Sequence, residues 1–324
     1  MTWQERIGGL VDTLLDRSVL AGYPRSGFEL RRRLPGWPAD PEPGALRDRA
    51  AVVTGAGSGL GMATAAGLAR LGARVYLVVR DTAKGERARA ELADTVPGAQ
   101  FRVLRCDVSD LEDVRRMAGE LLDAEHAVDV VVHNAGVLPP TRSTSAQGHE
   151  LALATHVLGP LRMTESLRPG LRAADSGRVI LVSSGGMYTQ SLPANDLEYT
   201  VGEYRGATAY ARTKRIQVAL APMLARRWGP DRIAVHTMHP GWADTPGVAD
   251  SLPGFRRLTG PILRNLQQGA DTAVWLAATP EPLPSGRFWH DRRERPAHLL
   301  PWTRETEAER DAVWSWCAQA AALP

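Results

Sequence analysis

Tyr210 and Lys214 stand four residues apart in a stretch, Ala209 to Trp228, whose apolar pattern predicts a helix, so both side chains share one helix face. A free phenol titrates near 10, too high for ready proton exchange at neutral pH, and an ammonium one turn away favours the phenolate. The pair is a candidate acid/base. A second candidate lies nearer the N-terminus, where Thr54-Gly55-Ala56-Gly57-Ser58-Gly59-Leu60-Gly61 follows the apolar run Ala51-Val52-Val53 and leads into a helical stretch, Leu60 to Leu71. Glycines let such a turn be tight and let its backbone approach a pyrophosphate, and the helix N-terminus offers free N–H groups and partial positive charge. Taken alone, the same turn is equally an αL turn that holds nothing.

The next strand, Val75 to Val79, ends in Arg80-Asp81. A site for NAD(H) wants a carboxylate there for the ribose 2'-OH, whereas the Arg80 guanidinium suits a 2'-phosphate, so NADP(H) is expected in preference to NAD(H). If the strand ran one residue further, Asp81 would hold the ribose instead. Asp107 and Val108 follow the third strand and Asn134-Ala135-Gly136 the fourth. There Asp107 is placed to accept from an adenine amino group, and the small turn to let backbone pass an adenosine; both segments also read as ordinary polar loops.

These residues need a frame. Short β-branched runs, Val128 to Val132, Val179 to Val182 and Ile233 to Thr237 among them, alternate with helical stretches near Lys84 to Ala93, Leu111 to Ala124, Ser145 to Leu171 and Gln267 to Ala278. The alternation predicts an α/β fold, a doubly wound parallel (Rossmann) sheet with helices on both faces, whose ligands bind beyond the strands' carboxyl ends. Every motif above falls just after a strand. The organisation expected is an N-terminal extension and linker over 1–48, one Rossmann domain over 49–290 and a C-terminal tail with a helix over 291–324. Within the extension, Met1 to Leu20 reads as an amphipathic helix carrying Trp3, Ile7, Leu10, Leu14 and Leu15; its charges exclude a spanning segment, and it either docks on the domain, the preferred reading, or lies on a membrane surface.

Composition narrows the rest. The 324 residues carry 39 basic and 36 acidic side chains, a net charge of +3, which is no concentrated basic face and does not point to nucleic acid. Two cysteines, Cys106 and Cys317, build no disulfide framework and fit a reducing compartment, so a cytoplasmic protein is expected. No paired His or Cys has metal-ligand spacing, and no Gly-x-Ser-x-Gly elbow is present.

Taken together, TGxxxGxG at Thr54 to Gly61, Asn134-Ala135-Gly136, Ser183-Ser184, Tyr210-Ala211-Arg212-Thr213-Lys214 and Pro240-Gly241 resemble the short-chain dehydrogenase/reductase family over about Ala50 to His290, with a looser likeness to its retinol dehydrogenases. The resemblance implies hydride transfer between NADP(H) and a carbonyl or alcohol. In that scheme Ser184, the second of the pair, bonds the substrate oxygen, Tyr210 donates a proton as hydride arrives, and Lys214 also holds the nicotinamide ribose. Pro240-Gly241 then turns beneath the nicotinamide and Thr245 meets its carboxamide. The stretch Tyr188 to Tyr204 resembles a retinol-dehydrogenase insertion and is read as a lip over the substrate. Met187, Tyr188, Leu192, Trp242 and Phe255 would line a fairly apolar substrate site, although Trp242 equally fits under the following loop. One departure stands out: His156 takes the place of the family's asparagine three residues before the glycine of the long helix, Gly159. Either it binds the water that connects the lysine to solvent, or it is a buried structural histidine. The rival to an enzyme is a non-catalytic NADPH-binding protein of the same fold, acting as a sensor or partner-binding module.

Overall fold

The computed structural model describes residues 3–244, 260–280 and 282–324. Three short helices open the chain: α1 (Trp3–Arg17), α2 (Val19–Gly22) and α3 (Arg25–Arg32). Strands then form at the β-branched runs, as β1 (Ala50–Thr54), β2 (Arg74–Val79), β3 (Phe101–Arg105), β4 (Val130–His133), β5 (Gly177–Val182) and β6 (Ile233–Met238). Between and after them lie α4 (Gly59–Arg70), α5 (Thr82–Thr95), α6 (Leu111–Ala124), α7 (Leu151–Leu153), α8 (Gly159–Ala173), α9 (Gly206–Trp228), α10 (Leu266–Ala278) and α11 (Glu307–Ala320). The helix expected over Ser145 to Leu171 is thus two pieces, α7 and α8, joined by a π turn at Ala154–Leu158.

Two strands escaped the sequence reading: β7 (Arg287–His290) and β8 (Arg293–Arg295). Among the described residues the sheet has eight strands in the order β3-β2-β1-β4-β5-β6-β7-β8. All neighbours run parallel except β7 and β8, which form an antiparallel edge. The strand order reverses between β1 and β4, the doubly wound arrangement, and the crevice at that reversal is where such sheets bind ligands. Alternate side chains of β1 feed opposite cores. Ala50 and Val52 meet α6, α8 and α9, while Ala51 and Val53 meet α4 and α10. Cys106 and Cys317 are both buried, unpaired thiols.

The extension is bound to the domain by charge. Arg31 bonds Asp12 at 2.9 Å and Asp291 at 2.6 Å; Arg264 grips both oxygens of Asp291, at 2.6 and 2.9 Å; Arg295 grips both oxygens of Asp12, at 2.7 and 2.8 Å. Asp16 completes the cluster 3.3 Å from Arg295, and all six side chains are buried. Charges so deeply buried are tolerated only when paired and hydrogen-bonded. Burial pushes the Asp291 carboxyl upward, but Arg264, His290 and Arg31 outweigh it and hold the group well below the usual carboxylate range. The turn that carries Asp291 is the two-residue connection between β7 and β8, with Asp291 and Arg292 both in the left-handed region at φ 51° and 55°. Arg292 is held there by Asp271 and by the carbonyls of Pro38 and Ala39, so the proline-rich linker also lies against the domain.

Docking by the acidic side of α1 reverses the expected contact. Asp12 and Asp16 face the domain, while Trp3, Ile7, Leu10 and Leu14 are exposed. The physical reason is the buried guanidinium pair of Arg31 and Arg295, which needs carboxylates more than the core needs another apolar stripe. Asp291→Asn keeps a residue suited to positive φ while removing the charge, and at pH 7 should cost about 3–5 kcal/mol in urea unfolding. Because the folded carboxyl titrates below its unfolded value of 3.8, the difference from wild type should persist above that pH and shrink as pH falls below it.

Candidate active site

Strand β5 ends at Val182 and delivers Ser183 and Ser184 to the carboxyl edge beside α9. Ser183 is buried and donates to the Lys214 carbonyl at 3.0 Å, which locks strand end to helix. Ser184 is partly exposed and hydrogen-bonds the Tyr210 side chain, so the second serine is the one that faces the acid/base candidate. The Lys214 ammonium donates to the Val182 carbonyl at 2.7 Å and lies 5.4 Å from the centre of the Tyr210 ring. The structure therefore brings Ser184, Tyr210 and Lys214 together. Their electrostatics differ from the simple expectation: burial raises the Tyr210 phenol above its ordinary value, and the Ser184 hydrogen bond only partly offsets this. Burial also lowers Lys214 to about 7. The phenol is thus protonated at neutral pH, and the ammonium is the more readily deprotonated of the two.

His156 sits on the π turn behind Tyr210, ring to ring at 5.3 Å and nearly perpendicular. Its Nε2 accepts from the Val137 N–H at 2.9 Å, which assigns the proton to Nδ1, and Nδ1 faces the Thr213 hydroxyl at 2.7 Å. The Thr213 hydroxyl in turn donates to the Tyr210 carbonyl at 2.8 Å. The His156 carbonyl takes the Gln217 side-chain N–H at 2.7 Å. Burial, then the Lys214 charge, hold the imidazole well below its ordinary value and neutral. With both ring nitrogens engaged by protein, the His156 side chain ties the loop after β4 to the Tyr210 helix. Val137 escaped the sequence reading because it belongs to no motif, and Thr213, inside the Tyr210 to Lys214 motif, was given no role because its hydroxyl partner comes from a distant turn.

The glycine-rich turn and the loop after β4 are stapled together by Thr54. Its hydroxyl accepts from the Asn134 and Ala135 N–H groups at 3.0 and 2.9 Å, and Asn134 Nδ2 donates to the Thr54 carbonyl at 3.0 Å. Gly61 is obligatory here, since a Cβ would stand 2.4 Å from the Gly55 carbonyl oxygen. Ser58 occupies the N-cap of α4 without capping it, so its hydroxyl and the first N–H groups, at Gly59, Leu60 and Gly61, have no acceptor within the helix. An uncommitted helix N-terminus, with the chain drawn tight behind it, fits a dinucleotide pyrophosphate. At the end of β2, Arg80 is exposed, whereas Asp81 is engaged as the N-cap of α5, accepting the Lys84 N–H at 3.0 Å. Asp107 spends one oxygen on the Ser109 backbone and hydroxyl at 2.9 and 2.7 Å; Val108 is buried, its carbonyl pressed against Gly159. Gly136 lies against the His156 ring.

After β6 the chain turns at Pro240-Gly241, with Gly241 at φ 77°. A Cβ there would stand 2.3 Å from Arg264 Nε, so glycine is required on both counts. Arg264 Nε also donates to the Tyr23 carbonyl at 2.8 Å, and the Trp242 N–H donates to the same carbonyl at 3.0 Å. The extension thereby underlies this turn. Trp242 is half-buried, edge-on to Tyr23 at 6.4 Å. Thr245 and Phe255 lie outside the described residues. The substrate lining needs correction at Met187 and Tyr188. Both are buried in an apolar cluster with Tyr23, Val218 and Phe288, and the Tyr188 hydroxyl donates to the Pro296 carbonyl at 2.8 Å. The 3-10 turn at Gly185–Thr189 directs them into the protein, and Leu192 is buried as well. Tyr199 and Tyr204 of the expected lip anchor it, under the Arg212 guanidinium and on Glu150 respectively.

Residues 49–253 match the family model for short chain dehydrogenase. The human protein "Dehydrogenase/reductase SDR family member 12" is 39% identical over 270 residues, covering 82% of this chain and 84% of its own. Human retinol dehydrogenase 12 is 33% identical over 250 residues, 76% of this chain and 78% of its own. Among solved structures, a Beutenbergia cavernae protein provisionally described as an NAD(P)-dependent gluconate 5-dehydrogenase, with NADP bound at low occupancy, is 28% identical with a TM-score of 0.59, covering 73% of this chain and 92% of its own. With this match over most of its length and a doubly wound sheet to carry it, the chain belongs to the short-chain dehydrogenase/reductase family, oxidoreductases that bind NAD(P).

Proposed function

We propose that this protein transfers a hydride between NADP(H) and a carbonyl or alcohol substrate of apolar character, with Tyr210 as general acid/base. The observation that carries the reading is the convergence of Ser184, Tyr210 and Lys214 at the carboxyl edge of the sheet, beside an uncapped helix N-terminus. Bound NADP(H) would supply the hydride. Ser58 and the first amides of α4 would hold the pyrophosphate, Arg80 the 2'-phosphate, and Lys214 the ribose nearest the reaction. The preference for NADP(H) rests on Arg80 being exposed at the strand end while Asp81 is occupied as a helix cap. Ser184 would bond the substrate oxygen, and Tyr210 would give it a proton as negative charge develops. Burial holds the phenol above its ordinary value, so it carries the proton that this step requires. His156 acts through others, fixing the Tyr210 helix against the loop after β4.

Titration of the protein with NADPH and NADH should show tighter binding of NADPH, and absorbance at 340 nm should fall when a suitable apolar aldehyde or ketone is added. Tyr210→Phe should bind NADPH normally and lose turnover by about 10²-fold or more. Full turnover in that variant removes the assigned acid, and NADPH binding with no turnover on any carbonyl in the wild type favours a cofactor sensor. Arg80→Ala should erase the NADPH preference while leaving NADH binding intact.

Lys214 gives a prediction that does not need a substrate. Its folded value of about 7 lies below the unfolded 10.5, so the folded state binds fewer protons between those limits and stability rises with pH across them. The penalty of burying the charge is fully present below pH 7. Lys214→Met removes it but leaves the Val182 carbonyl without its donor, a partial offset of about 1–3 kcal/mol. The variant should therefore melt higher than wild type at pH 6, with the gain fading as pH approaches 10, while turnover is lost.

A further inference from the structure

We propose that α1 is a docking element for an anionic lipid surface, with Trp3, Ile7, Leu10 and Leu14 as the inserted ridge. These side chains are 76%, 40%, 67% and 70% exposed. They recur at intervals of four, three and four residues and so form one stripe along a 15-residue helix. A contiguous stripe of this kind is unlike the scattered apolar side chains that any soluble surface carries.

Two features decide what the stripe is for. First, the helix is already docked by its other side: Asp12 and Asp16 are buried and paired with Arg31 and Arg295, so presenting the ridge costs no rearrangement. Second, with those carboxylates consumed, the charges left exposed on α1 among the described side chains are Arg6 and Arg17, and the next exposed charges along the chain, Arg25, Arg32 and Arg33, are also cations. Apolar insertion flanked by arginines is the chemistry that an anionic headgroup layer recognises. A second copy of the chain fits less well. The ridge spans about two heptads where a coiled coil takes about three to four. No helix among the described residues is long and apolar enough to cross a membrane, so the contact would be peripheral.

The full chain should be sedimented at physiological salt with phosphatidylcholine vesicles with and without about 30% phosphatidylserine. Co-sedimentation with the anionic vesicles is expected, with at least about fivefold weaker binding to the neutral ones. Leu10→Ser/Leu14→Ser should weaken binding about tenfold or more and leave the melting temperature and NADPH binding unchanged, since both leucines are exposed. Arg6→Gln/Arg17→Gln should narrow the gap between the two vesicle types. A wild-type protein that stays in the supernatant with both vesicles overturns the proposal, as does a leucine variant that binds like wild type. So does a dimer in sedimentation equilibrium that the leucine variant dissolves, which would make the ridge a self-association surface.

Discussion

Burying three guanidinium groups in one small volume imposes a condition on the rest of this molecule: three carboxylates must arrive with them. Arg31 and Asp12 come from the first helices, Arg264 from the segment after the turn at Pro240-Gly241, Asp291 from the turn between β7 and β8, and Arg295 from β8. Removing any one strand of this knot leaves a buried charge unmatched, which costs more than most single hydrophobic contacts supply. The knot also reaches the cleft. The guanidinium of Arg264 fills the space where any side chain at residue 241 would go, and Tyr23 packs against His239 and beneath Gly185, next to Ser184. The shape of the cleft floor is thereby fixed by residues at both ends of the chain. An N-terminal extension that looks separable in sequence is part of the wall behind Ser184 and the candidate site.

A similar tension between burial and charge runs through α9. Most of α9 is ordinary core, with Ala211, Thr213, Ile216 and Leu220 facing the domain. Lys214 is set into that same buried side and hydrogen-bonded to a strand-end carbonyl, an arrangement that costs folding energy and leaves its proton loosely held. Sites that keep an ionisable group in such a position trade stability for a proton that moves near neutral pH. His156 makes the opposite contribution. Neutral and bonded on both nitrogens, it fixes the distance between the loop after β4 and the Tyr210 turn of the helix.

What was legible in the sequence is what local rules govern. Strand and helix periodicity placed six strands and most helices, and the glycine turn, the serine pair and the Tyr-Lys spacing pointed to residues that the fold gathers at the carboxyl edge of the sheet. The pair at Ser183 and Ser184 shows how far such reading goes: the family resemblance pointed to the second serine, and in the structure the first is spent on the Lys214 carbonyl. The failures share a cause. Strand β8, Arg-Glu-Arg, has no strand-like composition and exists because its arginine side chains are wanted by Asp12 and Asp16, nearly the whole chain away. Met187 and Tyr188 follow Ser184 closely, yet a 3-10 turn sends them inward to meet Tyr23, a partner from the extension. Local spacing tells which residues share a face; it does not tell what occupies the space opposite.

The first helix shows why that matters. At 100° per residue the direction through Trp3, Ile7, Leu10 and Leu14 lies roughly 170° from that through Asp12 and Asp16, so the helix can bury one set or the other, not both. Burying the apolar set would gain about 1.5–3 kcal/mol for each large side chain. It would also strip Arg295 of both its α1 carboxylates and Arg31 of Asp12, in a buried region, at a cost of about 3–5 kcal/mol for each broken pair. Those amounts are of the same order, so amphipathicity alone does not decide the outcome; the position of Arg295 on β8 and of Arg31 on α3 does. Once Asp12 is gripped by both guanidiniums, every apolar residue on the far side of the helix is committed to face outward. The exposed ridge is therefore a consequence of how the interior balances its charge, and its chemistry follows from which residues that balance left behind.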